Sequence, residues 1–265
     1  MGIGHAIILG IVQGLAEFLP ISSSAHEALI HNLLCWHTPD DLFFDVALHV
    51  GLVLAVVIYF FKDWVQFIKR WREPMLWYIV VACVPGGLVG ALLEKRAETA
   101  FRAPVHIAIM LVLFGLVMAL AERMSKRERD VTQMTWKDAI WIGVAQCFAI
   151  MPGVSRSGST ITAGMFLGLT REASARFSFL LSAPIILGAA LFEGRKYLHG
   201  GLPIGPAPLL AGIASATVVG LLVIHYLLRF LRDHTLYVFT IYRIVLALAV
   251  VVAVLAGLGH CLPSP

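Results

Sequence analysis

Charge is what this 265-residue sequence has least of. Asp, Glu, Lys and Arg together make up 14% of it, where ordinary soluble domains carry about 25%. The charged residues that occur are clustered, and apolar runs free of acid and base separate the clusters. That distribution excludes a soluble globular domain and points to several membrane-crossing helices. Cysteine is also sparse. Cys35, Cys83, Cys147 and Cys261 are scattered without a CxxC pair, which argues against a disulfide framework or a cysteine metal site and for small apolar fillers. The opening "MGIGHAIILG" lacks the basic flank of a cleavable signal peptide, so it is expected to be part of the fold. A net charge of +4 calls for no nucleic-acid partner, because basic loop residues in a membrane protein set its topology.

Apolar residues are what is abundant: 59% of the chain, with a mean hydropathy of +0.87. A membrane crossing takes about 20 residues. Six stretches are long enough, about 43–61, 75–93, 105–121, 176–192, 206–228 and 236–259. Two more are too short: His5–Leu19, stopped by "PISSSAH", and Asp138–Met151, stopped by "PGVSRSGST". Each is followed by a second short apolar piece, Glu27–Leu34 and Ile161–Leu169. Half-helix, polar turn and half-helix describe a re-entrant hairpin, which is tolerated at membrane depth only where protein or a wet cavity surrounds it.

The two hairpins read as copies. Gly10, Gln13, Ala16, Ser22 and Ser24 recur as Gly143, Gln146, Ala149, Ser155 and Ser157, each 133 residues on, and "VGALL" at 89–93 recurs as "VGLLV" at 219–223. Three spans separate the hairpins, and an odd number inverts the second half. The expectation is an all-α polytopic membrane protein, a single membrane domain over 1–265, with six transmembrane helices and two re-entrant hairpins in an inverted-topology repeat. The halves run over about 1–121 and 138–259, joined by a loop at about 122–137. Thirteen Lys and Arg, from Lys62 to Arg232, fall in loops on one side, against Lys95, Arg96, Arg102, Arg195 and Lys196 on the other. The richer side is assigned to the cytoplasm. Both termini and the mouth of the "PISSSAH" hairpin then lie outside, and the "PGVSRSGST" hairpin enters from the cytoplasm.

The tips carry the chemistry. An arginine at membrane depth, Arg156, needs an anionic partner or water; an ion pair with Glu17 would satisfy it. Its neighbours suggest a ligand as well. Ser155, Ser157, Ser159 and Thr160 can donate hydrogen bonds, and Gly153 and Gly158 let backbone N–H groups come close. The turn also leads into a half-helix whose N-terminus attracts anions, and the guanidinium fork matches phosphate oxygens. At the first tip, Gln13 and Glu17 are four apart and share a helix face. They are candidate metal ligands, since magnesium is often held by one or two carboxylates plus substrate phosphates; a helix-packing hydrogen bond is an equal use for Gln13. Ser22, Ser23, Ser24 and His26 follow. A hydroxyl nucleophile with an imidazole base, or a histidine attacking phosphorus directly, is open at this spacing. His49 could replace His26 only if its span packs against the first tip. Catalytic candidates are Glu17, Ser23, His26 and Arg156, and phosphate-binding candidates are Ser22, Ser24, Ser155, Ser157 and Thr160. Such an outfit suits phosphoryl transfer, and its depth suggests a lipid-borne phosphate.

"QGLAEFLPISSSAH" (13–26) and "PGVSRSGST" (152–160) closely resemble the two signature stretches of the undecaprenyl-diphosphatase, or bacitracin-resistance, family. The resemblance extends to "FDVALHVG" (44–51), "SFLLSAPIILGA" (178–189) and "IYRIVLA" (241–247). It implies the inverted re-entrant architecture in the bacterial cytoplasmic (inner) membrane, and commonly a homodimer. It implies hydrolysis of undecaprenyl diphosphate to the monophosphate, recycling the carrier for cell-wall synthesis, with a divalent cation, magnesium or calcium. The family's (E/Q)xxxE motif falls on Gln13 and Glu17, its hydroxyl run on Ser22–Ser24, its essential histidine on His26 and its essential arginine on Arg156. Gln13 stands where many members have Glu, which removes one possible metal ligand, and Ser24-Ala25 replaces a frequent Thr-Gly. The chief rival is an alternating-access transporter of polyprenyl phosphates, which would share the broken helices but has no need of His26 beside Ser23. A type 2 phosphatidate phosphatase would need a "PSGH" stretch, which is absent.

Overall fold

The computed structural model describes residues 2–34, 41–101, 103–195 and 204–257, and among these every regular element is helical. Cys35 and Cys261, and the loop residues Arg102 and Lys196, lie outside the described residues. The first tip is formed by α1 (Ile3–Phe18) and α2 (Ser23–Leu34). Leu19 precedes Pro20 and is extended (φ −66°, ψ 140°), because a proline ring bars the preceding residue from helical backbone. The second tip repeats the device. After α7 (Trp136–Gln146) and a 3-10 turn over Cys147–Ile150, Met151 is extended before Pro152, and α8 (Arg156–Phe166) follows. Thr135 starts α7 with a reciprocal capping box to Asp138, which satisfies two of the orphan N–H groups of its first turn.

Between and after the tips run α3 (Asp41–Tyr59), α4 (Phe61–Lys69), α5 (Pro74–Phe101), α6 (Pro104–Met124), α9 (Arg171–Gly194), α10 (Pro206–Asp233) and α11 (Tyr237–Leu255). Five described helices, α5, α6, α9, α10 and α11, are long and apolar enough to cross a membrane. The sixth expected stretch is helical but bent. The stretch expected to cross over about 43–61 turns by 71° between Tyr59 and Phe61, so α3 and α4 count as a sixth crossing only if the bent pair is one span. The reason is in α4 itself. "FKDWVQFIK" alternates charges with large apolar residues and buries none of them, with Phe61 and Ile68 60% and 68% exposed. That pattern suits a helix lying along an interface rather than through it.

Two close helix contacts position the tips. α1 packs along α10 and α7 along α5, each through a glycine. A Cβ on Gly10 would stand 2.5 Å from the Gly212 carbonyl oxygen, and one on Gly143 would stand 2.6 Å from that of Ala82. Backbones this near leave no space for any side chain. At the Lys- and Arg-rich end, buried Glu122 pairs with Arg127 and Arg171 and accepts from the Leu236 N–H. Arg129 bridges to Asp138 at 2.6 Å and joins the Leu169 backbone. The connecting loop is thereby tied to α7 and to the loop before α9.

Candidate active site at the two helical tips

The tips meet. Ser22 and Ser155, the residues entering α2 and α8, are both in the left-handed region, at φ 74° and 73°. Non-glycine residues rarely adopt that conformation, which costs on the order of 1–3 kcal/mol. What repays it is hydrogen bonding. Ser155 Oγ accepts from the Gly158 N–H at 3.1 Å as the cap of α8. Ser22 Oγ accepts across the interface from the Gly153 N–H at 3.2 Å. Ser157 Oγ donates in return to the Leu19 carbonyl at 3.1 Å. Ser22 lies 3.2 Å from Ser24, and Ser155 lies 3.2 Å from Ser157.

Four sequence candidates converge at this junction. Arg156 reaches Glu17 Oε1 through Nε and Nη2, both at 3.2 Å, and its Nη1 donates to the Ser178 carbonyl at 3.1 Å. The ion pair foreseen from sequence is thus formed. Ser23 Oγ donates to Glu17 Oε2 at 2.9 Å. Gln13 Nε2 stands 3.4 Å from the same oxygen. The spacing of Ser23 and His26 left a hydroxyl–imidazole pair open, but no hydrogen bond joins these two described side chains. His26 Nδ1 instead meets the Ser22 carbonyl, and its Nε2 meets the Tyr242 hydroxyl, each at 2.7 Å. The span carrying His49 does pack against the first tip: His49 Nε2 is 3.4 Å from Gln13 Nε2, with Nδ1 on the Asp45 carbonyl at 2.6 Å.

The phosphate-binding candidates divide. Ser22, Ser23 and Ser24 cluster beside Glu17, with Ser23 and Ser24 partly exposed. Ser155, Ser157 and Thr160 are buried and bonded within the protein, Thr160 to the Arg156 carbonyl at 2.8 Å and to Ser178 at 2.7 Å. Their hydroxyls shape the turn that holds Arg156. As a metal centre the first tip offers few ligands. No group of three or more His, Cys, Asp or Glu that could hold an ion occurs among the described residues. However, Gln13 Oε1 is a buried acceptor without a partner among the described residues, on a side chain whose Nε2 is 3.4 Å from the Glu17 carboxylate.

Sequence reasoning missed Arg243. It is fully buried on α11. Its guanidinium donates to the carbonyls of Pro20 (3.3 Å), Val154 (2.9 Å), Gly153 and Leu111 (3.2 Å), and so clamps both tips from behind. Gly158 makes room, since a Cβ there would be 3.0 Å from Arg243 Nη1. Among the described residues no carboxylate pairs with it. Two guanidinium groups, of Arg156 and Arg243, therefore meet at the junction, and of the two Arg156 is the one paired with a carboxylate among the described residues. The signal was available: a lone arginine in an otherwise uncharged span invites a functional reading.

Two helical tips that meet through an arginine–glutamate pair, a hydroxyl held on that carboxylate and several apolar helices long enough to cross a membrane define an integral membrane protein with a polar junction between two broken helices. The family described as "Bacitracin resistance protein BacA" matches residues 6–249, and the chain belongs to it. An undecaprenyl-diphosphatase of Pelotomaculum thermopropionicum is 44% identical over 259 residues, 95% of this chain and 97% of that protein. One of Moorella thermoacetica is 46% identical over 263 residues, 96% and 98% of the two chains. One of Trichlorobacter lovleyi is 46% identical over 275 residues, 98% and 99%.

Proposed function

We propose that this chain is a membrane-embedded phosphatase that hydrolyses undecaprenyl diphosphate to undecaprenyl phosphate and inorganic phosphate. The observation that carries this reading is the 2.9 Å hydrogen bond from Ser23 to Glu17, with Glu17 held by Arg156 from the other tip. Relatives named undecaprenyl-diphosphatase along nearly their whole length support the substrate. Ser23 Oγ gives its proton to Glu17 and attacks the terminal phosphorus, and the lipid monophosphate leaves. Arg156 turns its fork to the equatorial oxygens of the transferring phosphoryl group, where charge neutralisation supplies most of the catalysis. Ser22 and Ser24 donate to the same oxygens. Water then attacks the phosphorus of phospho-Ser23, its proton passing to His26, and the P–Oγ bond breaks as Ser23 Oγ takes back the proton held by Glu17.

Gln13 Oε1 and Glu17 would hold a divalent cation, magnesium or calcium, together with the substrate's own oxygens. Such an ion would offset the negative charge of the diphosphate. The protein acts in the bacterial cytoplasmic membrane with both termini outside, an orientation supported by the lysine and arginine bias. There it returns the lipid carrier to cell-wall synthesis, which underlies bacitracin resistance, and it works as a homodimer. Its halves are an inverted repeat. The matched φ values at Ser22 and Ser155 and the matched contacts of Gly10 and Gly143 support that reading. The transporter alternative is disfavoured by the cross-tip bonds of Ser22, Ser157 and Arg243, which rocking of one half against the other would break.

Phosphate release by the purified protein from a polyprenyl diphosphate, with and without chelator, tests the reading. Release that stops on chelation supports both the activity and the cation. No release in magnesium or calcium would sink it.

A further inference from the structure

We propose that Tyr242 is a positioning residue of the active centre, its hydroxyl fixing the tautomer and orientation of His26. The inference rests on the phosphatase reading only in that His26 serves the reaction there. The geometry is independent of it. His26 Nδ1 is 2.7 Å from the Ser22 carbonyl oxygen. A carbonyl can only accept, so Nδ1 carries the hydrogen and the lone pair of the neutral ring lies on Nε2. That nitrogen faces the Tyr242 hydroxyl at 2.7 Å. A phenol can donate to it; when that proton passes to Nε2 and the phenol oxygen takes another from water, the same oxygen accepts from the new N–H. One partner therefore serves the imidazole in both charge states, and the ring need not turn between them. The two rings lie within 11° of parallel, with centroids 5.7 Å apart.

The placement of Tyr242 is not incidental. The next residue on α11 is Arg243, whose guanidinium grips the backbone of both tips. The helix that presents the phenol is thus anchored to the turn that presents the imidazole. Arg243 is fully buried while Tyr242 is 42% exposed, so the phenol stands on the open side of the junction and the clamp stands behind it. The consequence is a division of labour. Ser23 rests on Glu17 and His26 rests on Tyr242, giving two separate proton-handling pairs instead of one serine–histidine pair.

The test uses the full-length protein in detergent, labelled with nitrogen-15 in its histidines, and the Tyr242→Phe variant, which removes only the oxygen. His26 is assigned by comparison with His26→Gln. The expected wild-type spectrum at neutral pH has the His26 hydrogen on Nδ1 and a hydrogen-bonded lone pair on Nε2. In Tyr242→Phe the Nε2 signal should move and a second tautomer should appear. With polyprenyl diphosphate, kcat should fall roughly 5- to 10-fold, the loss expected for one neutral hydrogen bond, with KM unchanged within about twofold. A wild-type His26 with its hydrogen on Nε2 overturns the proposal without any variant. So does a Tyr242→Phe protein whose His26 signals are unmoved, whatever its rate. A raised KM with unchanged kcat overturns it in favour of direct substrate contact. If the wild type releases no phosphate, the phosphatase reading has failed, and the spectra still judge the pair.

Discussion

A guanidinium at membrane depth costs roughly 2.5–3.5 kcal/mol on insertion scales, and this chain brings two to one junction. They are stabilised differently. Among the described residues Arg156 has a carboxylate partner and Arg243 has only carbonyls. Arg156→Lys keeps the charge but loses the fork. It should cut phosphate release by about 10²-fold or more while the protein still elutes as folded; near-normal turnover would leave Arg156 as an ion-pair partner and nothing else. Arg243→Met strands four carbonyls, and hydrogen bonds to a charged group are worth about 1.5–3 kcal/mol each. Its thermal unfolding in detergent should fall well below that of Arg156→Lys, and equal stabilities would remove the clamp. Ser23 and His26 separate on rapid quenching with substrate labelled in its terminal phosphate. An acid-stable, base-labile adduct is expected, at Ser23; the reverse stability would make His26 the nucleophile. At this scale much was legible. Arg156, Glu17, Ser23 and His26 are polar residues in apolar surroundings, and that contrast can be seen in a string of letters. Arg243 offered the same contrast and was overlooked, whereas Tyr242 gives no such signal, since a tyrosine in an apolar span is ordinary and its partner His26 lies 216 residues away.

The elements are held by close approach of helices. In lipid, association gains little from the hydrophobic effect and depends on packing of small residues. Gly10→Ala would put a Cβ 2.1 Å from Ser215 Oγ and 2.5 Å from the Gly212 carbonyl oxygen, and Gly143→Ala one at 2.6 Å from the Ala82 carbonyl. Each should destabilise by roughly 1–3 kcal/mol, as overpacking does, measured by thermal unfolding in detergent. Gly90→Ala is the control, since its Cβ would meet nothing within 4 Å. Similar losses at Gly10 and Gly143 are expected if the two halves are copies, and a loss at one alone would argue against it. The break at Phe60 escaped the sequence reading for a physical reason. Hydropathy sums over a window and does not register direction, so the exposed, charge-interleaved face of α4 was averaged into the apolar run before it; beside the bend Asp63 pairs with Arg176, which lies over the Phe60 ring.

For the whole molecule the exposed question is orientation. In a cysteine-free background, Glu128→Cys in the connecting loop should resist a membrane-impermeant thiol reagent in intact cells, and Ala103→Cys between α5 and α6 should react; both native residues are exposed. The opposite pattern would invert the topology and turn the first tip's mouth to the cytoplasm. Composition and pattern alone determined the solvent in which this chain lives, the rough limits of its apolar crossings and the two interrupted helices. Those properties are local: a run of twenty apolar residues or a proline. Only the tertiary structure decided which hydroxyl met which acceptor. His26 lies on Tyr242 and not on Ser23 because α11, the last described helix, packs against α6 and reaches the tips from behind. A hydrogen bond is fixed to within a few tenths of an ångström, and no spacing rule along the chain carries that information between helices that begin more than 200 residues apart.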